Sequence, residues 1–88
     1  MLGLSIRVLV KKEISDKLDE LPQDLKKRIR TALNELESKW PICRLDIKKL
    51  KGYDNHYRIR VGDYRILFFR EEGTAKIYDI SHRNDVYK

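Results

Sequence analysis

Three arginines are spaced so that an extended chain would hold them on one surface. In Tyr57-Arg58-Ile59-Arg60-Val61-Gly62-Asp63-Tyr64-Arg65-Ile66-Leu67-Phe68, two runs of period-two alternation flank Gly62-Asp63. A two-residue loop with glycine first reads as a hairpin closed by a II′ turn. That loop sets Val61 opposite Tyr64, Arg60 opposite Arg65, Ile59 opposite Ile66, Arg58 opposite Leu67 and Tyr57 opposite Phe68. One face then carries Tyr57, Ile59, Val61, Tyr64, Ile66 and Phe68, and the other carries Arg58, Arg60 and Arg65. Like charges directly opposite destabilise a sheet, so Arg60 against Arg65 implies an anion between them. The planar donor fork of arginine suits a phosphate.

Other residues could contribute to such a site. Lys48, Lys49 and Lys51 precede the hairpin and form a patch able to track phosphates. His56 shares strand parity with Arg58 and Arg60, and His82 ends the last apolar run. Cys43 is the only cysteine; it reads as a small apolar residue, and no internal disulfide is available to it. Two distant histidines and one cysteine offer no metal-ligand spacing. No glycine-rich phosphate loop or serine-nucleophile motif is present, and no cofactor is expected.

The net charge of +6 favours a polyanionic partner. The cationic excess is larger in residues 44–88, which hold the hairpin, than before them. No apolar run approaches the ~18 residues of a membrane span. The first residues lack the charged start and cleavage site of a signal peptide. These features point to the cytoplasm. The 88 residues read as one domain (1–88) with a small core.

The elements that must position the arginines follow from periodicity. Leu4-Ser5-Ile6-Arg7-Val8-Leu9-Val10 alternates as a strand. Ile14, Leu18 and Leu21 mark one helix. Pro22 breaks it and opens the next, whose stripe is Leu25, Ile29, Ala32, Leu33, Leu36 and Trp40. Pro41 ends that helix. Leu45 and Ile47 alternate enough for extended chain, Gly52 and Asp54-Asn55 are turn residues, and the arginine hairpin follows. Glu71-Glu72-Gly73-Thr74 is a further turn before a last strand from Ala75 to about Ser81.

The order predicts an α+β fold: an N-terminal strand, a two-helix hairpin, then an antiparallel three-stranded meander, with the helices on one sheet face. The apolar side of the arginine hairpin meets the helices. Arg58, Arg60 and Arg65 are therefore expected together in one exposed concavity. The last strand poses a conflict, because a four-residue loop would put both Ile77 and Asp79 on the core face. A lone core aspartate is costly. A bulge near Asp79, or a curled sheet carrying Asp79 to its rim, would remove it.

Leu50-Lys51-Gly52, the run from Tyr57 to Phe68, His82-Arg83 and Val86-Tyr87 closely resemble the RelE toxins of the RelE/ParE superfamily, especially the archaeal branch. The similarity spans nearly the whole chain, including Leu21-Pro22. It implies the toxin of a type II toxin–antitoxin system: an endoribonuclease that enters the ribosomal A site and cuts messenger RNA without a metal. The implied partners are the ribosome, messenger RNA and a RelB-like antitoxin, in a higher-order toxin–antitoxin complex. The motif does not separate these nucleases from ParE-like gyrase inhibitors, and a catalytically weak RNA-binding relative is a further alternative.

In the implied reaction the ribose 2′-hydroxyl attacks the adjacent phosphate. Arg58, Arg60 and Arg65 suit the charge of the phosphorane. Arg83 resembles the family's C-terminal basic residue, and Tyr87 its terminal tyrosine, on which a base can stack. Lys48, Lys49 and Lys51 would meet ribosomal RNA. Bacterial members carry lysines where this chain has Arg58 and Arg60, and an arginine does not readily give up its proton. His82 is one substitute base and His56 another; a third alternative is that no side chain acts as base, and charge and alignment suffice.

Overall fold

The computed structural model describes residues 6–40 and 45–82. It contains β1 (Arg7–Val10), α1 (Lys12–Asp19), α2 (Gln23–Lys39), β2 (Asp46–Lys49), β3 (His56–Val61), β4 (Tyr64–Glu71) and β5 (Thr74–His82). The strands form one sheet in the order β1-β5-β4-β3-β2. The expected meander of β3, β4 and β5 is its centre. The short run around Ile47 adds an antiparallel edge, and β1 pairs parallel to β5 as the other edge.

The two helices bury the stripes that their spacing marks. Ile14 and Leu18 of α1, and Ile29, Ala32, Leu33 and Leu36 of α2, pack on Ile59, Ile66, Phe68, Ile77 and Ile80 of the sheet. Trp40 closes this core edge-on to Tyr57, with centroids 5.3 Å apart, and to Phe68 at 6.1 Å. Its ψ of 140° takes the chain out of the helix, as a residue preceding proline must. Pro41 and Cys43 lie outside the described residues.

The hairpin register follows the alternation: Val61 pairs with Tyr64, Arg60 with Arg65, Ile59 with Ile66, Arg58 with Leu67 and Tyr57 with Phe68. Gly62 takes a φ of +59° while Asp63 stays out of the left-handed region, as a II′ turn requires. The conflict at Asp79 is resolved by a bulge. Phe68 pairs with Ile77 but Leu67 pairs with Asp79, so Tyr78 is an extra residue on β5. The insertion turns Asp79 to the face opposite the helices and leaves Ile77 and Ile80 both fully buried.

Candidate nucleic-acid site on the open sheet face

Three rows of side chains cross the sheet on the face away from the helices. Asp46, Arg60, Arg65 and Ser81 form one row, read from β2 to β5. Lys48, Arg58, Leu67 and Asp79 form the next. His56, Phe69 and Lys76 form the third, with Tyr78 bulging beside it. The face is therefore cationic in its middle and aromatic at one end.

A concavity of about 550 Å³ opens between the first two rows, lined by Lys17, Leu50, Arg58, Arg65, Leu67, Asp79 and Ser81. Arg58 is only 9% exposed. Its Nη1 and the Ser81 Oγ are both buried and have no hydrogen-bond partner among the described residues. Buried polar groups are ordinarily satisfied. Two such groups lining one hollow therefore mark a place for a polar ligand.

The expected exposed cluster of three arginines is corrected. Arg58 is buried, Arg65 is half-buried beside it in the same hollow, and only Arg60 is exposed. Arg60 lines a second cleft of about 730 Å³ between α2 and β2–β3, with Lys27, Arg28, Lys39 and Asp46. Two causes account for the difference. The apolar side chains of Leu50 and Leu67 line the hollow with Arg58. Asp46, brought alongside by the edge strand β2, stands 3.7 Å from Arg58 Nη1 and 3.9 Å from Arg60 Nε. These separations exceed hydrogen-bond length, so Asp46 offers charge without satisfying either donor.

Residues 5–87 match the family described as ParE toxin of the type II toxin–antitoxin system parDE. The chain is 37% identical over 84 residues to toxin RelE3 of Methanocaldococcus jannaschii, covering 93% of this chain and 96% of that one. The chain belongs to the RelE/ParE family of type II toxins. Its fold agrees with the toxin in a RelB–RelE antitoxin–toxin complex from Methanococcus jannaschii, with a TM-score of 0.77, 36% identity, and 90% of this chain and 94% of that one covered. An archaeal RelE–RelB complex from Pyrococcus horikoshii OT3 matches with a TM-score of 0.76 at 28% identity, covering 90% and 96% of the two chains.

On this RelE/ParE scaffold the two histidines separate. His82 pairs with Tyr64 and lies edge-on to its ring at 5.1 Å. It shares the parity of Ile66 and Ile80, so it is on the helix side and not with Arg58 and Arg65. His56 is on the arginine face. Its Nδ1 is hydrogen-bonded to the Tyr78 hydroxyl at 3.0 Å, and its ring packs among Tyr53, Phe69 and Tyr78. His56 adjoins the hollow without lining it. Burial, then the carboxylate of Asp79, then Tyr53, raise the pKa of Tyr78 above that of an ordinary phenol.

Lys48, Lys49 and Lys51 are all exposed along the β2 edge, with Lys48 on the arginine face opposite Arg58 and Lys49 opposite Tyr57. Arg83 and Tyr87 lie outside the described residues. Sequence reasoning missed Asp46, Lys17 and Ser81 as members of the site and met Asp79 only as a packing problem. The parity of Asp46 would have revealed its place once β2 was paired with β3. Lys17 gave no such signal, because it arrives from the helix layer, where α1 packs beside β5.

Proposed function

We propose that this toxin is an endoribonuclease that cuts messenger RNA at the ribosomal A site and so stops translation. The observation that carries this reading is the pair of buried polar groups without a hydrogen-bond partner among the described residues, Arg58 Nη1 and Ser81 Oγ, on a hollow that also holds Arg65. A phosphodiester would satisfy both. As the 2′-oxygen attacks and the P–O5′ bond lengthens, negative charge grows on the non-bridging oxygens. Fixed guanidinium groups stabilise that charge without reorganising. Arg60 guides the strand from the neighbouring cleft, while Arg83 supports the leaving group and Tyr87 stacks a base. Lys48, Lys49 and Lys51 meet ribosomal RNA. No metal or cofactor is required, and the toxin acts in the cytoplasm. A RelB-like antitoxin, of the kind found in complex with its archaeal relatives, neutralises it, and toxin and antitoxin assemble into a higher-order complex.

The test is messenger cleavage on programmed ribosomes with a chelator present, with wild type beside Arg65→Ala. Cleavage that survives the chelator and falls about 10²–10³-fold in the variant is expected. Intact messenger with wild-type toxin, or equal cleavage by Arg65→Ala, overturns the reading. Toxicity accompanied by DNA damage and intact messenger would instead indicate gyrase inhibition.

A further inference from the structure

The bulge at Tyr78 places a carboxylate in a hollow whose other charged groups are all cations. Asp79 is the only acidic group among the described residues lining it. The groups facing it are Lys17 from α1, whose Nζ is 3.7 Å from Asp79 Oδ1, Arg58 from β3, and Arg65 and Leu67 from β4. Tyr78 and Ser81 flank it on its own strand. Neither arginine can readily accept a proton, His82 is on the other face, and His56 lies outside the hollow. Asp79 is half-buried and lines the hollow, so its carboxylate is open to a ligand bound there.

We propose that Asp79 is the general base of the cleavage reaction, an inference that rests on the nuclease reading above. The Asp79 carboxylate takes the proton from the 2′-hydroxyl. The freed oxygen lone pair forms the new bond to phosphorus, and the P–O5′ bond breaks with its electron pair on the 5′-oxygen. The products are a 2′,3′-cyclic phosphate and a 5′-alkoxide, which gains a proton from solvent or from the newly protonated Asp79. Atoms and charge balance without an oxidant or a metal. The same arginines that cannot act as base hold the phosphorane beside the group that can.

The test is single-turnover cleavage on programmed ribosomes by wild type, Asp79→Asn, Asp79→Ala and Lys17→Met. Asp79→Asn preserves shape and is expected to lose about 10²–10³-fold, within the usual span for a general base. Added formate or acetate should restore Asp79→Ala, with the more basic anion restoring more, an effect that a merely structural residue would not show. A messenger with sulfur in place of the scissile 5′-oxygen needs no leaving-group acid, so Asp79→Asn should stay slow on it. Lys17→Met breaks the same ion pair but keeps the carboxylate, and should lose far less than Asp79→Asn. Cleavage by Asp79→Asn within about twofold of wild type, equal losses in the Lys17 and Asp79 variants, or full recovery on the sulfur substrate overturns the assignment and leaves the nuclease reading standing. Absence of wild-type cleavage overturns both.

Discussion

Arg58 Nη1 stands 3.7 Å from Asp46 Oδ1 across the β2–β3 pair, with the arginine buried and the aspartate side chain 55% exposed. Asp46 therefore serves two opposed ends. It offsets a buried cation, and it competes with any phosphate for that cation. Asp46→Asn is predicted to bind a short RNA about tenfold more tightly at low salt, since a nearby negative charge is removed from the site. The same change should cost about 1 kcal/mol of folding stability, because Arg58 loses its counter-charge while solvent already screens much of the pair. Fluorescence anisotropy and urea denaturation measure the two effects. Weaker RNA binding by Asp46→Asn would show that Asp46 positions Arg58 and does not compete for it.

The raised pKa of Tyr78 predicts a loss of stability in alkali. Burial is the largest cause, followed by the Asp79 carboxylate. The folded state holds the phenolic proton more tightly than the unfolded state does. Its contribution is therefore fully present below the ordinary phenol value near ~10 and is lost as pH rises through the higher folded value. Thermal melts from pH 9 to 11.5 should decline more steeply for wild type than for Tyr78→Phe. Asp79→Asn should fall between them, since it removes one cause of the shift. Parallel curves for wild type and Tyr78→Phe would contradict the prediction.

How far the fold was legible depended on the range of the signal. The β3–β4 register followed from Gly62-Asp63, because a two-residue loop leaves no freedom in pairing. The helical stripes followed from spacing, because Ile14 with Leu18, and Ile29 with Leu33 and Leu36, recur at the helical period. The bulge could be anticipated as one escape from burying Asp79, yet its position at Tyr78 was set by packing of Ile77 and Ile80 together. The parallel pairing of β1 with β5 left no local mark, since the two strands meet only after both helices and three strands intervene. For the site, parity correctly put Arg58, Arg60 and Arg65 on one face. It could not foresee that Leu50 and Leu67 would flank Arg58, or that Asp46 on a four-residue edge strand would face two of the three cations.

Gly62 holds the register that aligns the arginine row, and it does so at a φ of +59°. A Cβ there would stand 3.3 Å from Arg28 Nη1, the mobile end of a long side chain that can give way. The cost of Gly62→Ala is therefore the backbone's own, about 1–2 kcal/mol for an L-residue in the left-handed region. Gly62→Asn should lose about as much, since the first central position of a II′ turn lies outside the αL basin that asparagine tolerates. Urea denaturation of both variants checks this, and an alanine or asparagine variant as stable as wild type would refute it.

Glu37 guards the outer edge of β1. Its carboxylate Oε2 accepts a hydrogen bond from the Val8 amide at 2.9 Å, and its carbonyl accepts one from the Ile6 amide at 3.2 Å. Leu9 and Val10 on the same strand are exposed, so an uncovered edge would offer both unpaired backbone and apolar side chains to another chain. Glu37→Ala removes only the side-chain acceptor. It is predicted to cost about 1.5–3 kcal/mol, the usual value for a hydrogen bond to a charged group, and to promote concentration-dependent association. Glu37→Gln keeps a carbonyl oxygen in reach of Val8 and should recover most of the stability and stay monomeric. Melting curves and sedimentation at several concentrations decide the matter: if Glu37→Ala melts and sediments like wild type, the bond to Val8 neither stabilises the strand nor shields it.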